Sequence, residues 1–196
     1  MTVTKAKTAY GIELESPQNR SRAASLVAAR GFITENFNLG ASNATGATMT
    51  SGTVYAVAIG VNPGDVINNI YVTVETSGAS VTTAQCALHD RLGNRLAVTT
   101  DSATTRTALE STGIKTCALT AAYTIPDNTD AVYVSFLYAG SSLKLACSGT
   151  TDETVSGLAL SGKFAGVAVG ATSATSIAAT QTLVATNSLY FWAALG

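Results

Sequence analysis

The chain has 196 residues, 46% of them hydrophobic and only 12% charged, with a formal net charge of −1. That length can bury a core without disulfides or metal, and it argues for one domain or one domain plus a tail. A charged share about half the usual quarter argues against a free cytosolic enzyme; it implies a Thr, Ser, Asn, Gly and Ala surface, either secreted or packed against neighbours in an assembly.

Residues 1–30 carry Lys5, Lys7, Arg20, Arg22 and Arg30 against Glu13 and Glu15, so the start is basic and the remainder acidic. No basic run with interleaved aromatics accompanies this, so nucleic acid is not an expected partner. The opening MTVTKAKTAYGIELES has no apolar h-region, so no signal peptide is expected. No apolar run approaches the roughly 20 residues of a membrane helix, and a membrane is not an expected partner. Synthesis in the cytoplasm is the resulting expectation.

Residues 1–16 have no period and read as an extended arm. Ser16 suits an N-cap, Pro17 a first helical position and Gly31 a C′ position. Ala23, Leu26, Val27 and Arg30 share one narrow stripe, which predicts a short helix over 17–30 that needs a partner surface. Residues 1–37 are therefore expected to form an arm-and-helix anchor, and 38–196 the folded domain.

After Gly31 the period changes to two. Phe32–Phe37 alternates weakly, and the Gly/Ala/Ser/Asn stretch 40–52 reads as a loop. TVYAVAIGV (53–61) is a near-continuous apolar strand. Asn62-Pro63-Gly64-Asp65 is a turn by its chemistry. Val66–Glu75 buries Ile70, Val72 and Val74 on one face. Residues 84–98 form a hairpin, with Ala84, Cys86 and Leu88 inward and a turn over Asp90–Asn94. The Thr/Ser-rich stretch 99–112 reads as a loop. Strands are predicted at 114–119 and 131–138, joined through Tyr123-Thr124-Ile125-Pro126 and a polar DNTD turn. In 131–138, Val132, Val134 and Phe136 share one face and Tyr133, Ser135 and Leu137 the other. Strands at 143–147, 158–169 and 189–195 complete about eight, with no helical period after residue 31. The pattern predicts an all-β antiparallel two-sheet sandwich, jelly-roll or Greek-key.

Chemistry-bearing residues are sparse. The one histidine, His89, is expected to sit exposed at the hairpin edge. No Gly-x-Ser-x-Gly elbow offers it a nucleophile. Cys86, Cys117 and Cys147 lie far apart in strand-like segments and fit no Cys-x-x-Cys pattern. They read as small buried thiols, with one disulfide between neighbouring strands as the alternative in oxidising surroundings. Asp90, Asp101, Asp127, Asp130, Asp152 and Glu153 lie in predicted turns, where solvated acids and Asx-turns are the ordinary explanation. Asp127-Asn128-x-Asp130 lacks the spacing of an EF-hand, and GVAVG lacks the lysine of a phosphate loop. No cofactor, metal or catalytic residue is assigned. Tyr133, Phe136, Tyr138, Tyr190, Phe191 and Trp192 read as core aromatics rather than a sugar-stacking platform.

Four segments, NPGDVINNIYVTVETSG (62–78), ALHDRLGNRLAVT (87–99), GIKTCALTAAYTIP (113–126) with AVYVSFLYAG (131–140), and NSLYFWAALG (187–196), give the chain from about residue 53 a resemblance. It resembles the β-sandwich module that ends many minor tail proteins and related virion surface proteins of tailed bacteriophages infecting actinobacteria. The resemblance implies a sandwich fold, a virion structural role and no shared catalytic set. Such modules commonly end much longer tail proteins, whereas here a basic arm and helix precede the module. The expectation is a non-enzymatic capsid decoration or minor capsid protein on the virion surface. It would dock on the major capsid protein, or another virion protein, through Lys5, Lys7, Arg20, Arg22, Leu26 and Arg30. A homo-oligomer, taken as a trimer, is expected. The alternative is a tail-tip minor tail protein that binds a cell-surface glycan through loops 40–52, 99–112 and 170–182.

Overall fold

The computed structural model describes residues 31–36, 39–148, 167–169, 173–185 and 191–196. The chain divides into two compact units, Met1–Phe32 and Ile33–Gly196, and the second is an antiparallel two-sheet sandwich. The six docking residues expected in the arm and helix lie outside the described residues, as do the helix itself and Tyr190, Asp152 and Glu153.

The first sheet holds β1 (Thr34–Glu35), β2 (Ser42–Thr48), β4 (Val66–Thr76), β7 (Gly113–Thr124), β9 (Lys144–Ser148) and β12 (Ala193–Leu195). Its order is β1-β12-β4-β9-β2, with β7 on β4. The second holds β3 (Val54–Gly60), β5 (Ala79–His89), β6 (Arg95–Val98), β8 (Ala131–Ser141), β10 (Val167–Val169) and β11 (Leu183–Ala185), in the order β11-β10-β3-β8-β5-β6.

Between the sheets the core follows the alternation. Ile70, Val72 and Val74 of β4, Cys117 of β7 and Phe191, Ala193 and Leu195 at the C-terminal end are all buried. From the second sheet come Val57 and Ile59, Ala84, Cys86 and Leu88, and Val132, Val134 and Phe136. Phe136 and Phe191 meet across the interior with ring centroids 6.2 Å apart and planes tilted by 55°, an arrangement their quadrupoles favour. Trp192 falls on the opposite side of its strand and is equally buried, with its indole N–H donating to Glu35 Oε2 at 3.0 Å. The expected core role holds for Tyr133, Phe136, Tyr138, Phe191 and Trp192.

Both faces of β3 and β8 are buried, which a two-layer sandwich alone does not achieve. On the face of the second sheet turned away from the first, Val54, Ala56, Ala58, Ala87, Ala131, Tyr133 and Leu137 form a cluster with Ile177. Residues 173–181 run across this face as a strap. Ala174 N donates to Gly52 O at 2.9 Å, Arg95 N to Ala179 O at 2.8 Å and Gln181 N to Gly93 O at 2.9 Å. Ile177 N donates to Gln85 Oε1 at 2.7 Å. Full burial of a side chain the size of Ile177 is worth about 1.5–3 kcal/mol, which holds down a segment with no ladder of its own.

Three expectations need correction. The stretch 40–52 is not a loop throughout: Ser42–Thr48 is β2, paired with β9 through a register shift between Asn43 and Ala47. Its Ser-Asn-Ala-Thr-Gly-Ala-Thr sequence has little strand propensity, and tertiary pairing overrides that. The stretch 99–112 contains a helix, α1 (Ala103–Ala108). Ser102 caps it, its Oγ accepting from Thr105 N at 3.1 Å. The strands number twelve among the described residues rather than about eight.

Asp101 ties this helix to the sandwich. Its carboxylate accepts from Arg106 Nε and Nη2, both at 2.8 Å, and from the backbone N–H of buried Ala84 at 3.0 Å. The Arg106 pairing is the main cause holding the Asp101 carboxyl below its ordinary value, with the Ala84 N–H adding to it. Replacing Asp101→Ala should cost about 1–2 kcal/mol, chiefly because the Ala84 N–H loses its acceptor. The partly exposed ion pair adds little. Urea unfolding of the two proteins at pH 7 measures this.

Candidate functional site

His89 is the first residue to place, and the expectation of an exposed hairpin-edge side chain is wrong. It is fully buried at the end of β5, on the strap side of the second sheet. Alternation along β5 and β8 puts His89, Ala87, Tyr133 and Ser135 on that one face, since Ala87 pairs with Ser135 and His89 with Tyr133. His89 Nδ1 and Ser135 Oγ lie 3.1 Å apart, and Ser135 Oγ also reaches Ala87 O at 3.4 Å. Burial pushes the imidazole pKa down to about 4, partly offset by the backbone of Ala178 in the strap. The ring is therefore neutral at pH 7.

A serine hydroxyl beside a neutral imidazole has the outline of a nucleophile and its base. Both side chains are fully buried here, beneath residues 173–181. The neighbouring Asp90 carboxylate is engaged in its own turn. It accepts from Leu92 N at 2.8 Å, Asn94 N at 2.9 Å and Asn94 Nδ2 at 2.8 Å. Burial pushes its pKa up, and the Asn94, Leu92 and Gly93 donors outweigh that and bring it below the ordinary value. The Ser135–His89 contact engages the imidazole through Nδ1 alone, and both side chains are buried among the described residues.

One open region of the described surface lies at β6 and β7. While β4 advances from Ile67 to Asn69, β7 runs from Ala118 to Tyr123, so β7 bulges away from its partner. The bulged residues reach the edge of the other sheet. Leu119 forms a bridge with Thr99, and Thr120 Oγ1 donates to Val98 O at 3.0 Å. Bulges re-aim side chains in this way.

Two open depressions of about 310 and 420 Å³ flank this crossing and share Leu96 and Tyr123. The larger is rimmed by Asp90, Arg91, Leu92, Asn128 and Thr129. Arg91 pairs with Asp130 across it, joining the hairpin turn to the DNTD turn. This pairing is the largest influence on Asp130 and holds its carboxyl below the ordinary range. Tyr123 is half-buried, and its hydroxyl pKa is raised by burial and by the Asp90 charge. Leu92 is 78% exposed. A half-open aromatic ring between apolar and hydrogen-bonding neighbours can stack a flat apolar face and bond the polar groups around it.

Asp90, Asp127 and Asp130 therefore lie in turns, as expected. No cluster of three or more His, Cys, Asp or Glu side chains suited to a metal occurs among the described residues. Sequence reasoning missed Tyr123 as a groove residue, and nothing in the Thr-Ala-Ala-Tyr run signals the bulge. Of the loops expected to read a glycan, 40–52 is largely an edge strand and residues 173–181 are committed to the strap.

The fold class is thus an antiparallel two-sheet β-sandwich whose outer strap seals one sheet. Comparisons with protein-family models, curated proteins and solved structures return no match.

Proposed function

We propose that this chain is a non-enzymatic structural protein of a tailed-bacteriophage virion, a capsid decoration or minor capsid protein. In this reading residues 1–37 dock on the major capsid protein through Lys5, Lys7, Arg20, Arg22, Leu26 and Arg30, and the sandwich faces outward. The observation that carries the reading is the exposed side of β7. Ile114, Thr116, Ala118, Thr120, Ala122 and Thr124 are all exposed there, and none is charged. A surface this poor in charge suits packing against neighbouring subunits, including further copies of the chain. The sequence resemblance supports the same class. The test is to label the protein in purified virions and image them. Tens to hundreds of copies over the head are expected, and absence from the particle overturns the reading.

The groove at Tyr123 favours a second reading, a tail-tip adhesin for a cell-surface glycan. The Tyr123 ring would stack on a sugar face while Arg91, Asn128 and Thr129 bond its hydroxyls. Under this reading Tyr123→Ala lowers affinity for host cell-wall glycan about tenfold with little change in thermal stability. An oligomeric wild-type protein that binds no host glycan removes it.

A further inference from the structure

We propose that Cys86 and Cys117 are the two halves of an inter-sheet disulfide, a crosslink that forms between the sheets when the protein meets an oxidising disulfide pool. The three cysteines are free in this structure, and two of them are placed for such a bond. Cys86 belongs to β5 in the second sheet and Cys117 to β7 in the first. Both are buried to within 2% and face the interior. Cys86 lies level with Phe136, which packs against Phe191 of the opposite sheet. Cys117 is level with buried Ile70, while its neighbours Thr116 and Ala118 are exposed.

The backbone brings them to one place. Thr99 N donates to Cys86 O at 2.9 Å, and Cys86 N donates to Thr99 Oγ1 at 2.8 Å. The same Thr99 bridges to Leu119, two residues along β7 from Cys117. The sheets are therefore clipped together by main chain immediately beside the two thiols. The pKa of the Cys86 thiol is pushed up and that of the Cys117 thiol down, each chiefly by the neighbouring thiol. Cys117 is accordingly the better nucleophile of the two. Cys147 is also buried but sits in β9, where burial first and then the Glu75 charge raise its pKa, and no thiol partner influences it.

The oxidant is a low-molecular-weight disulfide such as oxidised glutathione. The Cys117 thiolate attacks one of its sulfurs, forming a mixed disulfide and releasing one glutathione thiolate. The Cys86 thiolate then attacks the Cys117 sulfur and releases the second. Two protein thiols lose two protons and two electrons, and one glutathione disulfide becomes two glutathiones. Because both groups are buried, exchange takes place during folding or on opening of the β6–β7 edge. A loop of about thirty residues would be closed, which for a chain this size raises the unfolding midpoint by roughly 7–15 °C.

The experiment refolds the full chain in glutathione buffers from fully reduced to mostly oxidised. Thiols are then counted under denaturing conditions, the linked peptides mapped, and thermal unfolding recorded. The expected result is one remaining thiol, at Cys147, a Cys86–Cys117 linked peptide and the raised midpoint. The variants Cys117→Ser and Cys86→Ser should show no oxidant-dependent rise, and Cys147→Ser should retain it. Three free thiols in the most oxidising buffer, a linkage through Cys147, or an oxidised protein that unfolds at lower temperature would each overturn the proposal. None of these readouts depends on whether the protein belongs to a virion.

Discussion

Replacing Gly93→Ala is expected to lower stability by about 3–5 kcal/mol, and Gly64→Ala by only about 1–2. Both glycines have positive φ, +87° and +84°, a region that costs an L-residue about 1–2 kcal/mol. They differ in what surrounds them. A Cβ at Gly64 meets nothing within 4 Å, whereas one at Gly93 would lie 2.0 Å from the Gln181 carbonyl oxygen. That oxygen belongs to main chain and cannot swing aside as a side chain would. The strap has to retreat, losing the Gln181 N to Gly93 O and Arg95 N to Ala179 O bonds that together make the Asn94–Thr180 bridge. Each lost bond is worth about 1 kcal/mol, and retreat also uncovers Ile177 and the apolar face beneath it. Urea unfolding at pH 7 compares the two variants. Faster exchange of the Arg95 and Gln181 amides in Gly93→Ala would locate the damage at the strap. Equal losses in both variants would mean that the strap contributes nothing measurable.

Acidification from pH 7 to pH 4 is expected to remove about 3 kcal/mol through His89. Its folded pKa of about 4 lies below the ordinary histidine value of 6.5, so the unfolded chain takes up the proton first. The stability this represents is whole above pH 6.5, declines as pH falls, and is lost once pH passes below about 4. The sign follows from burial beneath the strap, and the nearby Arg95 charge acts in the same direction. Asp90, Asp101 and Asp130 all have lowered pKa values. Their losses fall below the ordinary carboxylate range, so the window from 6.5 to 4 belongs to His89 among the described residues with resolved shifts. Urea midpoints measured every half pH unit test this. His89→Gln should flatten the slope in that window whatever its effect on stability at pH 7. An unchanged slope would show that His89 is not the titrating group.

The elements legible in advance are those set by neighbours in the chain. The Asn62–Asp65 turn forms as its residues dictate, with Asp65 Oδ2 accepting from Asn62 N at 2.9 Å. The 84–98 hairpin turns at Asp90–Asn94, and β4 buries Ile70, Val72 and Val74 as its period requires. The sandwich class follows from such short-range patterns, because alternation and turn chemistry act over two to five residues.

What escaped depends on residues far apart in sequence. The apolar run of β3 and the paired faces of β8 called for cover on both sides, but not for the 173–181 segment that supplies it. The burial of His89, the placing of Cys86 and Cys117 beside Thr99, and the groove at Tyr123 arise the same way. Each exists only because strands from the two sheets, or the strap, converge on one spot. Local propensity could not announce β2 either, since its Ser, Asn, Gly and Ala residues become a strand only by pairing with β9. The residue pattern thus carries the alternation, the turns and the fold class. Packing between distant segments decides which polar groups are sealed, which thiols face the interior and where the surface opens, because burial is a property of the assembled layers and not of any single strand.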